Sequence, residues 1–333
     1  MSTATSVPET YHLEGDDALE TLRRTGWGKL AKDAFLRFRF ADGSSHSRAL
    51  AFQVTFTLLP GMIAAMGLAT TLRAKQVSNL VKDTTQRLAP GPAGEIFLTA
   101  LRHGEKATAG GGKVALVFGL LAALVSGTFA MAQVERGANR IYGVERDRVA
   151  KDRYLTAFRL AISAGLLIVI AFVLIVAGAD LGSAIGLSGP VRSVWRLLQW
   201  PLSIALAVAG FALLFQRSPR RRQPAASWLA VGSAMSVLLW FLFTFALVLY
   251  LASSKVFGET YGPLVGVIGM LMWSFLTSLA IFLGLAFAAQ LEAVRAGVPG
   301  PVTDQQLNPR GHEVGPETRR VAAGGLLTRR SRG

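Results

Sequence analysis

The sequence predicts an all-α, polytopic membrane protein with six transmembrane helices and with both termini in the cytoplasm. Two observations predict this fold class. First, six stretches of 20 to 32 residues contain no Asp, Glu, Lys or Arg, and about 20 apolar residues suffice for a helix to cross the hydrocarbon layer of a membrane. Second, Lys and Arg are distributed unevenly between these stretches, as in proteins that follow the positive-inside rule.

The composition of the 333-residue chain favours burial in lipid. Hydrophobic residues make up 51% and charged residues 17%, whereas soluble domains carry about 25% charged residues. This excludes disorder over most of the chain, and the absence of Cys excludes a disulfide scaffold or a Cys-based metal site. We predict one membrane domain over residues 19–296, with spans at about 49–72, 114–134, 160–181, 196–216, 228–252 and 264–290.

The topology follows from the basic residues. With the N-terminus inside, the inner segments hold 25 Lys and Arg residues and the outer segments hold 10. The first outer connection, residues 73–113, fits this rule poorly because it holds seven, although long loops are less constrained. Helical spacing of apolar residues in this connection predicts two short helices that cap the outer face.

The net charge of +15 allows two interpretations. A basic surface can bind nucleic acid, but no RNA-binding signature accompanies the basic runs. We therefore expect no nucleic-acid partner and assign the charge to topology and to contact with anionic lipid head groups on the cytoplasmic side. The sequence leaves open whether the chain forms a homo-oligomer.

The segments outside the spans differ in character. Residues 1–18 are acidic and residues 297–333 are rich in Pro, Gly and Arg, so both are predicted to be disordered. Residues 19–41 are predicted to form one helix whose apolar face contains Trp27, Leu30, Ala34, Phe35 and Phe38. This helix lies either in the cytoplasmic membrane interface or packed under the bundle.

The first span contains Pro60 near its middle, where a kink or break is expected. Gln53, Thr55 and Thr57 precede it and could satisfy the carbonyl that proline leaves free. A broken helix can line a substrate site, but a kink that serves only packing is an equally simple interpretation.

Two patterns concern the interior of the bundle. Gly232 with Ser236, and Gly284 with Ala288, are small residues four positions apart, which favours close helix contacts. The charge-free runs contain no ionisable acid or base, and Glu135 and Glu292 are predicted to lie at span ends. A lipid-like substrate suits such a lining better than a small ion.

Four groups of residues together resemble one protein family. The similarity is in the order and spacing of residues 48–52 (Arg-Ala-Leu-Ala-Phe) with Leu58-Leu59-Pro60, residues 137–144 (Gly-Ala-Asn-Arg-Ile-Tyr-Gly-Val), Pro224 with Trp228, Gly232 and Trp240, and Tyr250 with Tyr261-Gly262, Trp273 and Gly284. These motifs resemble the YihY/BrkB family of bacterial inner-membrane proteins. The resemblance implies a multi-pass protein of the bacterial plasma membrane. Residues 284–289 depart from the family pattern, which has an acidic and an amide side chain there.

Some members of that family carry an older ribonuclease BN-like label, which the sequence does not support. The four histidines, His12, His46, His103 and His312, are scattered and unpaired, whereas a metal-dependent nuclease needs clustered ligands. No P-loop pattern is present. We expect no enzyme activity, no catalytic residue, no metal and no cofactor.

Two functions therefore remain. The first is a transporter or flippase-like protein for a lipid-like or amphiphilic substrate. The second is a non-transporting envelope scaffold or regulator that binds anionic lipid or partner proteins. Asn139 either caps a helix end or holds a head group. The candidate substrate or lipid residues are Gln53, Thr55, Thr57, Pro60, Asn139, Arg140, Tyr261 and Gly262.

Overall fold

The computed structural model describes residues 6–71, 112–184, 186–187, 189–253 and 265–298. Across these residues the chain is helical and has no β-strand. Six helical segments within them are long and apolar enough to span a membrane. The predicted all-α fold and the six predicted spans are therefore confirmed. The predicted outer helices and the C-terminal tail beyond residue 298 lie outside the described residues.

The helices are numbered in chain order over the described part of the chain. They are α1 (Gly15–Thr25), α2 (Trp27–Phe40), α3 (Gly43–Thr71), α4 (Gly112–Tyr142), α5 (Ala150–Leu160), α6 (Leu166–Ala184), α7 (Gly189–Arg217), α8 (Ala226–Ser253) and α9 (Val265–Arg295). A π-helical turn, Ala161–Gly165, joins α5 to α6 without a break. The third span therefore begins in α5 and continues into α6.

Several spans are longer than the charge-free runs that predicted them. α4 continues to Tyr142, eight residues beyond the predicted end at 134, and α9 continues to Arg295 rather than 290. Helical hydrogen bonding does not stop at the first charged side chain, because such a side chain can reach water or a partner at the membrane boundary. The ends of these spans therefore contain the charged residues that the sequence analysis placed outside them.

Glycine allows a close approach between α8 and α9. A Cβ on Gly232 would lie 2.6 Å from Cβ of Ala288 and 2.8 Å from the carbonyl oxygen of Gly284, and a Cβ on Gly284 would collide with Ser236. The two small-residue pairs predicted from the sequence thus pack against each other. α3 pairs with α4 and α6 with α7, while α9 also contacts α3 and α2.

The N-terminal region differs from its prediction in two ways. Residues 6–18 are packed rather than disordered, with Val7 and Leu13 each 4% exposed. The predicted helix over 19–41 is two helices, because the chain turns at Gly26, whose φ is +84°. Such a φ is readily adopted only by glycine.

The position of α2 distinguishes the two alternatives for this helix. Leu30, Ala34 and Phe38 are buried, and α2 contacts α9. The described packing therefore favours a helix under the bundle over one that lies free in the membrane interface. Trp27 and Phe35, which the same periodicity assigned to this face, are instead about half exposed.

Helices α3, α5 and α8 begin, and α4, α7 and α9 end, at one end of the bundle, which we call the charged end. Residues 6–14 lie at the same end, because the Thr10 hydroxyl donates a 2.6 Å hydrogen bond to Oε1 of Glu292 in the last turn of α9. The topology prediction assigns the charged end to the cytoplasm.

Candidate functional site

Of the kink or break predicted at Pro60, the break is wrong, because α3 is one continuous helix from Gly43 to Thr71 that contains this proline; the kink stays a prediction. The hydroxyl of Thr55 donates to the carbonyl of Ala51 at 2.9 Å, and the hydroxyl of Thr57 donates to the carbonyl of Gln53 at 2.8 Å. Both bonds lie one turn back from their donors. Neither satisfies the Phe56 carbonyl that proline deprives of its usual helical donor.

The polar residues of α3 are also divided between two helix contacts. Oγ1 of Thr55 lies 3.1 Å from Oγ of Ser274 in α9. The methyl carbon of Thr57 lies 3.8 Å from where a Cβ on Gly127 of α4 would be. These two side chains therefore face different neighbours, and their role in substrate binding stays a prediction.

Asn139 is completely buried and joins two connections between helices. Its Nδ2 donates to Oδ1 of Asp147 at 2.8 Å, and its Oδ1 accepts a 2.8 Å hydrogen bond from the backbone N–H of Arg220. The side chain thus neither caps α4 nor is open to a head group. Arg140 is half-buried beside it, and Tyr261 and Gly262 lie outside the described residues.

The most buried ion pair at the charged end joins Arg221 to Glu292. Nη2 of Arg221 lies 2.6 Å from Oε1 of Glu292 and Nη1 lies 3.3 Å from Oε2. The two side chains are 4% and 0% exposed. Arg221 also donates to the carbonyl of Pro8 at 2.8 Å, and its guanidinium lies 4.6 Å from the ring centroid of Tyr142. This pair connects the N-terminal segment, the α7–α8 connection, α4 and α9.

A second buried arginine lies on α2. Nε of Arg37 donates to Oε1 of Gln290 at 2.9 Å, and Nη1 donates to the carbonyl of Ile141 at 3.3 Å. Burial lowers the pKa of Arg37 to about 10, an effect that the Glu292 carboxylate opposes. The guanidinium therefore stays protonated at neutral pH and brings a positive charge against the ends of α4 and α9.

The third buried pair is Glu135 with Arg148. Nη1 of Arg148 lies 3.1 Å from Oε2 of Glu135, whose side chain is 1% exposed. The same guanidinium donates to the carbonyls of Ser218 and Pro219 at 2.7 and 2.9 Å. Glu135 lies inside α4, about two turns before its end. Its partner thus joins the α4–α5 connection to the α7–α8 connection.

We call Arg37, Glu135, Arg148, Arg221 and Glu292 the charge network. Desolvating a charge costs several kcal/mol unless partners compensate it, and the network supplies carboxylates, an amide and backbone carbonyls as partners. Within the described ranges, no three His, Asp or Glu side chains come together as a metal-ligand set. The arrangement holds six chain segments together: the N-terminal segment, α2, α4, the α4–α5 connection, the α7–α8 connection and α9.

Most of this network was not predicted from the sequence. Glu135 and Glu292 were predicted at span ends, and neither Arg37 nor Arg221 was predicted as a site residue. One signal was present, because Arg37 follows Ala34 and precedes Phe38 on the apolar face of α2. A cation inside an apolar face indicates a buried partner. That partner lies 253 residues away, and helical spacing cannot identify it.

The fold and the charge network define a polytopic α-helical membrane protein whose charged end is held by buried ion pairs. A sequence model of the family described as virulence factor BrkB matches residues 34–306. The chain belongs to this family, which confirms the resemblance found in the sequence.

Comparison with curated proteins adds one relative. The chain is 26% identical over 257 residues to YfkH of Bacillus subtilis (strain 168), a protein named as ribonuclease-like. The alignment covers 76% of this chain and 91% of YfkH. No solved structure matches the chain significantly.

Proposed function

We propose that this protein is a transporter or flippase-like protein for a lipid-like or amphiphilic substrate in the bacterial plasma membrane. The buried charge network is the observation that carries the proposal. Ionisable side chains inside membrane-spanning segments are rare, and they often mark the route of a substrate or ion. Glu135 and Glu292 both lie within spanning helices and are almost fully buried.

The network can hold the charged end of the bundle closed and release it when one of its ion pairs separates. A buried ion pair adds little stability compared with well-packed apolar residues, so two such pairs at one end of a bundle favour a role beyond stability. Arg221 holds Glu292 and the carbonyl of Pro8 at the same time. An anionic head group could replace Glu292 as the partner of Arg221 and release the N-terminal segment.

We also propose that the protein is not an enzyme. The ribonuclease-like name of YfkH applies to that relative and does not transfer to this chain. The scatter of the four histidines along the sequence supports this proposal. His46, on α3, has Nδ1 3.2 Å from Nε2 of Gln133 on α4. This histidine is therefore part of a polar contact between two helices.

Lipid scrambling in liposomes tests the proposal. The purified full chain is reconstituted with a fluorescent phosphatidylglycerol, and the fraction of fluorescence that external dithionite removes is followed over time. We expect the wild type to expose inner-leaflet lipid. We expect Glu292→Gln to do so faster, by about tenfold or more, because a hydrogen bond to a charged group contributes about 1.5–3 kcal/mol to the closed state.

The matched control is Glu145→Gln, which removes an exposed carboxylate at the same end and should scramble at the wild-type rate. If neither the wild type nor Glu292→Gln moves lipid in sealed liposomes, the proposal of a transporter or flippase-like protein is wrong. The scaffold or regulator interpretation, with anionic lipid or proteins as partners, then replaces it.

A further inference from the structure

A groove of about 360 Å³ opens beside the charge network, along the first three turns of α5. Three arginines line it, Arg148, Arg159 and Arg220, together with one acid, Asp152. The remaining lining includes the apolar side chains of Val149 and Leu155. The groove therefore combines an excess of positive charge with an apolar wall.

The arginines differ in how far they are already engaged. Arg148 is held by Glu135 and by the carbonyls of Ser218 and Pro219. Arg220 donates from Nη1 to the carbonyl of Asp147 at 2.9 Å and is exposed, so most of its five N–H donors stay available. Arg159 is exposed. Guanidinium groups bind phosphate oxygens through paired, charge-assisted hydrogen bonds.

The position of the groove indicates where its ligand comes from. Arg159 directly precedes the apolar part of the third span, which begins at Leu160. Apolar side chains continue the exposed surface from Arg159 into the membrane, with Ile162, Leu166 and Val169 each about half exposed. A free anion in water would make no use of that surface.

We propose that this groove binds the phosphate-bearing head group of an anionic membrane lipid, with the acyl chains along α5 and α6. Arg159 and Arg220 contact the phosphate, and Arg148 supplies a fixed positive charge behind them. Asp152 opposes the anion and limits its affinity. This inference rests on the proposed function, because it names the class of substrate that the proposed transporter would take. Lipid binding at this groove does not itself require transport.

Equilibrium binding to the full chain in mild detergent tests the groove. The probe is short-chain phosphatidylglycerol, compared with short-chain phosphatidylcholine and with inorganic phosphate. We expect Arg159→Gln and Arg220→Gln each to weaken phosphatidylglycerol binding about fivefold to tenfold. Asp152→Asn should tighten it, because this substitution removes the opposing charge.

Lys151→Gln is the matched control, since it removes an exposed positive charge of the same helix that does not line the groove. We expect it to bind phosphatidylglycerol like the wild type. Thermal unfolding of each variant establishes that the exposed substitutions leave the fold intact.

Three outcomes would overturn the proposal. These are equal affinity for phosphatidylglycerol and phosphatidylcholine, wild-type affinity in both arginine variants, and displacement by inorganic phosphate at equal concentration, which would assign a soluble anion instead of a lipid. The two proposals fail separately. If the protein binds lipid but does not scramble it, the groove proposal stands and the transport proposal is wrong. If the protein scrambles lipid, does not bind phosphatidylglycerol in the groove assay, and scrambles at the wild-type rate in both arginine variants, only the groove proposal is wrong.

Discussion

Arg37 and Gln290 form a hydrogen bond between α2, a helix outside the membrane spans, and the end of α9 that lies at the charged end. Nε of Arg37 donates to Oε1 of Gln290 at 2.9 Å, and both side chains are completely buried. Without this acceptor the guanidinium would lose one of its partners and remain charged in an environment that water does not reach. The fold of this end therefore depends on a polar contact as well as on apolar packing.

Gln290→Met is expected to lower the free energy of unfolding by about 1.5–3 kcal/mol, because a hydrogen bond to a charged group is lost. Thermal unfolding in mild detergent measures the change. The control is Gln199→Met, since Gln199 is also buried and its Oε1 accepts no hydrogen bond from the described residues. Equal destabilisation by the two substitutions would contradict the account.

Glu292→Ala is expected to lower the free energy of unfolding by about 3–5 kcal/mol, because it leaves the buried guanidinium of Arg221 without the carboxylate of its ion pair. The double variant Arg221→Met with Glu292→Met should recover most of this loss, since apolar residues often replace a buried pair at little cost. Denaturant or thermal unfolding of the three proteins measures both effects. A double variant as unstable as Glu292→Ala would show that the uncompensated charge is not the cause.

Asn139→Asp is expected to destabilise the protein by about 1–3 kcal/mol, because it replaces an amide donor with a second carboxylate opposite Asp147. Adding Asp147→Asn exchanges the two groups. In the double variant the amide of residue 147 donates to the carboxylate of residue 139, which still accepts from the N–H of Arg220. Unfolding midpoints in detergent test this, and absence of rescue by the exchange would exclude the Asn139–Asp147 hydrogen bond as the important contact.

Gly232→Leu is expected to separate α8 from α9. The overpacking should lower the free energy of unfolding by about 1–3 kcal/mol or more. Gly61→Ala is the control, because a Cβ at that position in α3 meets no atom within 4 Å. This control should be neutral or should stabilise the helix by about 0.5–1 kcal/mol. A wild-type unfolding midpoint for Gly232→Leu would contradict the close contact between the two helices.

The spans could be predicted from the sequence because the physics that forms them is local. A run without charges, long enough to cross the hydrocarbon layer, has few other stable environments. The ends of the spans could not be predicted in the same way. Glu135 and Glu292 stopped the charge-free runs, yet both lie inside helices because partners from distant segments compensate their charge.

The candidate site was less predictable than the fold. Asn139 was singled out from the sequence, and the structure places it in the polar contacts of the charged end. Its partners, Asp147 and the backbone of Arg220, could not be identified from spacing because they belong to two different connections. The packing of residues 6–14 depends on the same distant contacts, and their acidic composition alone predicted disorder.

The central claim is that the charge network lies at the cytoplasmic end of a membrane-embedded bundle, and cysteine labelling tests it most directly. The chain contains no Cys, so single substitutions at the exposed positions Ser6, Glu145 and Lys113 report without background. With a membrane-impermeant maleimide on intact cells, Lys113→Cys should be labelled. Ser6→Cys and Glu145→Cys should react only after permeabilisation. Labelling of Ser6→Cys or Glu145→Cys on intact cells, or protection of Lys113→Cys on intact cells, would contradict the account.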